Sequence, residues 1–374
     1  MNQTKYSQVK GWIKSKILDG TYVSKQKINS ESELMKQFSV SRHTVRQAIG
    51  ELVSEGWLYR EQGSGTFCSD RTERNDMSLT TYKKRIAIIT TYISDYIFPS
   101  IIRGAEEVIS KAGYQVSLFS TNNDYEQERE ILKTVISQNF DGAIIEPTKS
   151  ASSSPNLQYY LNLEALNIPY IMINAHYDEL EQVNIIMDDE KGGYLQAQHL
   201  INLDHRDILI FFKNDDMQGV RRLKGCIKAF RDYKIPVDPN RILGYSTQEK
   251  MTKPVEYLKQ ILQSDIRPTG IVCYNDELVL NLLDVFRERN MVIPDDMSII
   301  GFDDSFLAKI SEVKLTTIEH PQTALGKRAA QMVLHMVADK NKRQWHKTES
   351  YIFEPKLIVR NSTKAIQVDK REHI

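Results

Sequence analysis

The chain has 374 residues, 41% of them hydrophobic and 26% charged, with acidic and basic residues in balance; this is ordinary globular composition, long enough for two or three domains. It has no run of about 18 apolar residues, which excludes a membrane-spanning helix. Met1–Lys16, interleaved with lysines, lacks the apolar core of a secretion signal, so a cytoplasmic protein is expected. Cys68, Cys226 and Cys273 lie far apart, without metal-ligand spacing, and read as buried, idle thiols. Neither a metal nor a cofactor is expected.

The charge is unevenly spread. Residues 1–84 hold 14 Lys and Arg against 9 Asp and Glu, a net +5, and the remainder is −5. A basic head on an acidic body suits a nucleic-acid module fused to something else.

In chain order, residues 1–70 come first. Ser30-Glu31-Ser32-Glu33 is a capping box that opens a short helix through Leu34, Met35 and Phe38. Ser39-Val40 makes a tight turn. Ser41 then caps a second helix, in which Val45, Ala48, Ile49 and Leu52 fall at i, i+3, i+4 and i+7 and must face a core. Its opposite face presents Arg42, His43, Arg46 and Gln47. Two helices joined this way have helix-turn-helix geometry, and arginine is the side chain shaped to grip guanine O6 and N7. Beyond Gly56, Trp57–Arg60 and Glu61–Phe67 read as two strands with a Gly63/Gly65 tip, a wing.

The polar, non-periodic stretch 71–84 reads as a linker. From Arg85, apolar runs alternate with helix-length segments: 86–90, 115–119, 142–146, 170–174, 208–212, 270–274 and 298–302. Continuous apolar strands of this kind indicate parallel sheets covered on both faces. The expected boundaries are a head over 1–70, a linker over 71–84, a sensor domain over 85–362 and a frayed tail over 363–374.

Two resemblances follow from these motifs. Residues 5–68 resemble the GntR family of winged-helix regulators, through Ser30–Leu34, Val40–Arg46, Ala48-Ile49, Leu52, Glu55-Gly56 and Gly63–Phe67. Asn29 stands where that family usually has proline. The resemblance implies DNA contacts from Arg42, Thr44 and Arg46 on the helix and from Gln62, Gly63 and Gly65 on the wing, with Lys5 and Tyr6 meeting phosphates. His43 reads equally as a solvated residue or a phosphate contact. Glu31 reads as a first-turn charge favoured by the helix dipole, with base reading as the alternative. Arg42 and Arg46 taken alone could be solvated surface charges; box, turn, stripe and wing in register argue against that.

Residues 85–362 resemble the LacI-family sensor domain, through Phe98–Gly104, Asp141–Glu146, Asp188–Gly193, Arg222–Gly225, Cys273–Asp276, Ile299–Ser305 and Leu315–Ile318. The implied fold class is α/β: a winged helix-turn-helix followed by a two-lobed, doubly wound domain like the periplasmic binding proteins. Ligands of such sheets bind beyond the carboxyl ends of the strands. The polar residues there are Tyr92, Glu146, Asn174, Asn275, Asp276 and Asp303, with Arg222 on a following helix and His320 at a pocket-lining position. Carboxylates, amides and a guanidinium together match hydroxyls that both donate and accept. Bland readings stand beside these: Asp303 and Asp188 as caps, Asn174 in a local turn, Tyr92 and Tyr96 as core or interface aromatics, Arg222 in a surface salt bridge.

A GntR-type head on a LacI-type body is similar to the arabinose repressor family of Gram-positive bacteria, in Thr91–Arg103 and Ile145–Ser150 above all. That implies a repressor that binds palindromic operator DNA as a homodimer and is released by L-arabinose. A regulator sensing another sugar, or an activator, is the alternative. The helix Ser100–Lys111 lies where LacI-type sensors commonly pair. A phosphate loop and a nucleophile elbow are both absent. Glu146, Asp276 and Asp303 could be arranged as a glycosidase pair, but the attached DNA head argues for binding, and no enzyme is expected.

Overall fold

The computed structural model describes residues 4–70, 84–264, 266–339 and 348–366. The expected linker, Lys84 excepted, and residues 367–374 of the expected tail lie outside the described residues.

The head comprises α1 (Lys5–Leu18), α2 (Glu31–Phe38), α3 (Arg42–Ser54), β1 (Leu58–Glu61) and β2 (Gly65–Cys68). The capping box forms: the Glu33 amide donates to Ser30 Oγ at 3.2 Å, and the Ser30 amide to Glu33 Oε2 at 2.7 Å. Such caps contribute about 1 kcal/mol each. Ser39, left-handed at φ 51°, ends α2, and the Ser41 side chain caps α3. Val45, Ala48 and Leu52 are 0% exposed and Ile49 1%, the face that the spacing required. β1 and β2 pair antiparallel from Leu58 opposite Cys68 to Glu61 opposite Gly65, and Lys27 bridges to Phe67 on the outer side of β2.

The first lobe begins with β3 (Arg85–Thr90), α4 (Phe98–Lys111), β4 (Gln115–Ser120), α5 (Tyr125–Ser137), β5 (Gly142–Ile145), α6 (Leu157–Ala165), β6 (Tyr170–Ile173) and β7 (Asn184–Met187). The second holds α7 (Asp189–Asn202), β8 (Ile208–Lys213), α8 (Met217–Asp232), β9 (Ile242–Tyr245), α9 (Lys253–Ile261), β10 (Gly270–Val272), α10 (Asp276–Glu288), β11 (Ser298–Ile300), α11 (Phe306–Ile310) and β12 (Thr317–Glu319). The chain then returns to the first lobe as α12 (Gln322–Asp339) and β13 (Tyr351–Phe353), and ends beside β12 as β14 (Lys356–Ile358).

The first sheet runs β13-β7-β6-β5-β3-β4 and the second β11-β10-β8-β9, with every described pairing in both parallel. Strand order reverses at β3 in one sheet and at β8 in the other. The crevices at these two reversals are where an open α/β sheet takes its ligand, and they face each other. The seven expected strands are β3, β4, β5, β6, β8, β10 and β11. β7, β9, β12, β13 and β14, only three or four residues each, were not foreseen.

Two glycines fix the crossing of α7 and α8. A Cβ at Gly193 would lie 2.0 Å from the Arg222 carbonyl oxygen, and one at Gly225 would lie 1.8 Å from that of Glu190. Only glycine allows this approach, and it sets Arg222 against Asp189 at the start of α7. The apolar face of α4 is covered by α12 of the same chain. Its residues Arg103, Glu106, Ser110 and Lys111 are exposed and hydrophilic. The expected tail begins later than position 363. The Lys364 amide donates to Ser298 Oγ at 3.0 Å and the Ile366 amide to the Leu203 carbonyl at 3.0 Å, which ties 363–366 to the second lobe. No described helix is long and apolar enough to cross a membrane.

Candidate functional site

Two sites take shape, one on the head and one between the lobes. On α3, Arg42 and Arg46 point outward with 59% and 61% of their side-chain surface exposed. Both lean on Glu31 of α2. Arg46 Nε lies 3.1 and 3.0 Å from its two carboxylate oxygens and Arg42 Nε 3.9 Å from one. Glu31 thus lies between the two guanidinium groups and holds them side by side. The Thr44 hydroxyl is 2.9 Å from that of Ser41, so it belongs partly to the cap. His43, Gln62, Gly63 and Lys5 are exposed and Tyr6 is half-buried. At the wing tip Gly63 has φ +80° with open space where a Cβ would be. Gly65, at φ +131°, is overlaid by the exposed Lys27 side chain, whose Cε would lie 2.7 Å from a Cβ there. Lys27 is a wing cation that sequence reading missed; its bridge to β2 depends on chain 40 residues away.

Between the lobes, Arg222 is the centre. It is 3% exposed. Its Nε donates to Asp189 Oδ1 at 2.8 Å and its Nη1 to the Tyr274 carbonyl at 2.8 Å, while Nη2 lies 3.6 Å from Asp303 Oδ1. The guanidinium stacks 3.5 Å over the Phe302 ring. A surface salt bridge is thereby excluded for Arg222. Burial raises the Asp189 carboxyl to about 6 against the pull of Arg222. Burial also raises Asp303 and Glu146 above the ordinary carboxylate range.

On the facing lobe, Glu146 accepts from the Thr91 amide at 2.8 Å, the Thr91 hydroxyl at 2.6 Å and Asn174 Nδ2 at 2.9 Å. Tyr92, Glu146, Arg222, Asn275 and Asp303 line one cavity of about 100 Å³. At about 10–15 Å³ per water position this is room for several waters or one small solute. Asn174 supports the wall from behind through Glu146. His320 lies buried at the crossover from β12 to α12, held to about 3 by burial and by the charge of Arg222, so its ring is neutral at pH 7.

Asp276 does not face the cavity. Its Oδ2 accepts from the Ser305 amide at 2.9 Å and hydroxyl at 3.0 Å, and its Oδ1 from the Thr317 hydroxyl at 2.7 Å. With both oxygens turned to these loops, it braces the segment that carries Asp303. Asn275 spends its Oδ1 on the Leu278 amide as the cap of α10. Several buried polar atoms near the cavity have no hydrogen-bond partner among the described residues: Asn174 Oδ1, Asp303 Oδ1 and both ring nitrogens of His320. Native interiors rarely leave such groups unpaired; of these residues Asp303 alone lines the cavity, within reach of an incoming polyol. Asp303 at φ 100° lies outside even the left-handed range that aspartate tolerates, a strain that concentrates at functional sites.

Sequence reading missed Lys213, Asp216 and Tyr274. Lys213 Nζ lies 2.9 Å from Asp216 and 3.3 Å from Asp215, and the Tyr274 hydroxyl donates to Asp216 at 2.8 Å. Lys213 and Tyr274 stand at the ends of expected strands, which was the available signal. Bonds between the lobes were not legible at all. Tyr96 Oη donates to the Phe302 carbonyl at 3.0 Å and accepts from the Asp276 amide at 3.1 Å. Asn123 Nδ2 donates to Thr247 at 2.7 Å, the Met217 amide to Ser150 Oγ at 3.0 Å, and Arg221 lies 3.3 Å from His176. The lobes are shut on each other.

Comparison with known proteins follows the same division. Residues 5–68 match the gntR family of bacterial regulatory proteins, and residues 197–363 match a periplasmic binding protein-like domain. The chain is 55% identical over 98% of its length, and 99% of the other's, to an arabinose metabolism transcriptional repressor of Halalkalibacterium halodurans. It is 51% identical to one from Geobacillus stearothermophilus, over 97% of this chain and 98% of that one. Among solved structures, a LacI family transcriptional regulator from Enterococcus faecium with bound ribose superposes with a TM-score of 0.64 at 26% identity, covering 76% of this chain and all of the other.

Proposed function

The chain belongs to the family of arabinose metabolism transcriptional repressors, and on that premise we propose that it binds palindromic operator DNA as a homodimer and is released by L-arabinose held between its lobes. Identity of 55% over 98% of the chain and 51% over 97% of it with two such repressors carries the reading, and the family consists of transcription regulators rather than enzymes. The geometry supports the division of labour. Arg42 and Arg46 stand exposed and paired on the reading helix, suited to guanine edges, with Thr44, His43, Gln62, Gly63, Gly65, Lys27, Lys5 and Tyr6 around them for backbone and groove contacts. Tyr92, Glu146, Arg222, Asn275 and Asp303 wall a polar cavity, with Asn174 and His320 behind it.

A single winged helix reads a short half-site, so two heads on one dimer gain by a palindrome. L-Arabinose favours the shut lobes only to the extent of its differential affinity for them. Two experiments test the reading. Calorimetric titration of the pure protein with L-arabinose, D-xylose, D-ribose and D-glucose is expected to give saturable binding with L-arabinose preferred and no turnover. Sedimentation of the full chain at micromolar concentration is expected to give a dimer. Tighter binding of another sugar overturns the effector assignment, and a monomer overturns the assembly.

A further inference from the structure

We propose that helix α6 of the first lobe is a docking joint for the chain's own head, and that it carries the state of the cleft by direct contact to α1, the helix packed on the reading helix. The proposal rests on the cleft being the sugar site.

The joint is built around Asn162 of α6. It is 8% exposed, and its Nδ2 donates to the carbonyls of Ile17 at 3.1 Å and Leu18 at 2.6 Å. These belong to the last turn of α1, where helix carbonyls lack intrahelical partners. The Ile17 carbonyl also accepts from the Gly20 amide at 3.3 Å, so a side chain from the other domain and the chain's own turn together complete the head's first helix. The chain turns closely around it: Gly20 has φ +76°, and a Cβ there would touch the Asn162 side chain at 3.8 Å. Around the amide, Ile17, Leu18 and Tyr22 of the head share one continuous apolar cluster with Leu132 of α5 and Tyr159 and Leu163 of α6. The reading face stays clear. α1 is 14 residues long, so Lys5 lies about 20 Å from the docked end at 1.5 Å per residue, and Arg42 and Arg46 are exposed.

The same helix reaches the cleft through a buried carboxylate, which also accepts from the Tyr177 hydroxyl at 3.2 Å. Glu128 of α5 is 0% exposed. It accepts from the Tyr160 hydroxyl of α6 at 2.8 Å, from Asn156 Nδ2 just before α6 at 2.7 Å, and from the Thr148 amide at 3.2 Å. Thr148 lies between Glu146 and Ser150, both of which line the cavity, and Ser150 bonds across to the second lobe. Contacts thus run unbroken from cleft to Glu128, to α6, to Asn162 and to α1. Contiguity alone does not establish coupling, so the test measures coupling itself.

The experiment uses the full-length protein and its Asn162→Asp variant. The substitution keeps the shape but sets a carboxylate, which only accepts, against two carbonyls. Lys16 and Lys133 flank the joint: Lys16 Nζ lies 3.6 Å from Asp19, and Lys133 Nζ lies 5.9 Å over the Tyr159 ring. An amine-reactive cross-linker, with neither sugar nor DNA present, is expected to join Lys16 to Lys133 within one chain of the wild type and much less in the variant. No such link, or one joining two chains, overturns docking on the chain's own lobe. The second readout is the ratio of operator Kd with and without L-arabinose. It is expected to fall from the about 5–150-fold range of ordinary allosteric coupling to within about twofold of one. A variant that loses the cross-link but keeps the wild-type ratio overturns transmission through the joint. Because the cross-link needs no sugar, failure of the joint and failure of the effector assignment are told apart.

Discussion

Arg42 and Arg46 on the reading helix keep 59% and 61% of their side-chain surface, whereas Arg222 in the cleft keeps 4%. The first two share one half-exposed carboxylate, Glu31, and hold their outer nitrogens in water. The third is pinned by Asp189, Asp303, the Tyr274 carbonyl and the Phe302 face. A surface arginine costs little to keep and can adjust to a large, charged partner. A buried arginine must have its charge compensated before any ligand arrives, so its site is rigid and suits one small molecule. One residue type thus serves recognition of two kinds, and substitutions should separate them.

The largest effect is expected from Arg222→Ala. Removing one partner of a buried ion pair leaves Asp189 and Asp303 uncompensated, at a cost of about 3–5 kcal/mol. Urea denaturation should show that loss, and L-arabinose should no longer release the folded fraction from DNA. Wild-type stability would mean that Arg222 is not the buried keystone described.

His320 sharpens the cleft side. Unfolded, it takes a proton near its ordinary 6.5; folded, only near 3. Between these values the unfolded chain holds more protons. Its contribution is therefore complete above 6.5 and is lost progressively as pH falls toward 3. The wild type should lose a few kcal/mol more across this window than His320→Gln, in urea midpoints taken from pH 7 to 4. Parallel acid limbs would contradict the buried, neutral ring.

The head side is expected to yield less. Arg42→Ala and Arg46→Ala should each weaken specific operator binding by about 1–3 kcal/mol, with fold stability and sugar affinity intact. Gel-shift titration checks this, and undiminished operator affinity would remove them from the reading face. Smallest is Tyr96→Phe, which deletes one hydroxyl from the bridge between the lobes. At about 1 kcal/mol for such a hydrogen bond, sugar affinity should drop roughly fivefold. Equal sugar affinity would mean that the bridge adds nothing to closure.

The head was legible from sequence because its signals are local. Ser30 and Glu33 cap each other three residues apart, and Val45, Ala48, Ile49 and Leu52 fall on one helical stripe. The central strands were legible as continuous apolar runs. β12, β13 and β14 were not, because, unlike the equally short β10 and β11, they were not read as part of a run alternating with helix-length segments, and they owe their pairing to chain far away, as Tyr351 does to Ile185. At the cleft, strand ends located Glu146, Asn275 and Asp303. Nothing local shows that Asp276 turns its carboxylate to Ser305 and Thr317, or that Tyr96 reaches across to Phe302. Such directions depend on how two lobes meet.

The central claim is that operator DNA and L-arabinose compete through one conformational equilibrium. Operator Kd measured across a titration of L-arabinose, and arabinose Kd measured with and without saturating operator, tests it directly at fixed salt. The account requires arabinose to weaken operator binding and operator to weaken arabinose binding by the same factor. Tighter operator binding with arabinose, or no change in either constant, would contradict it.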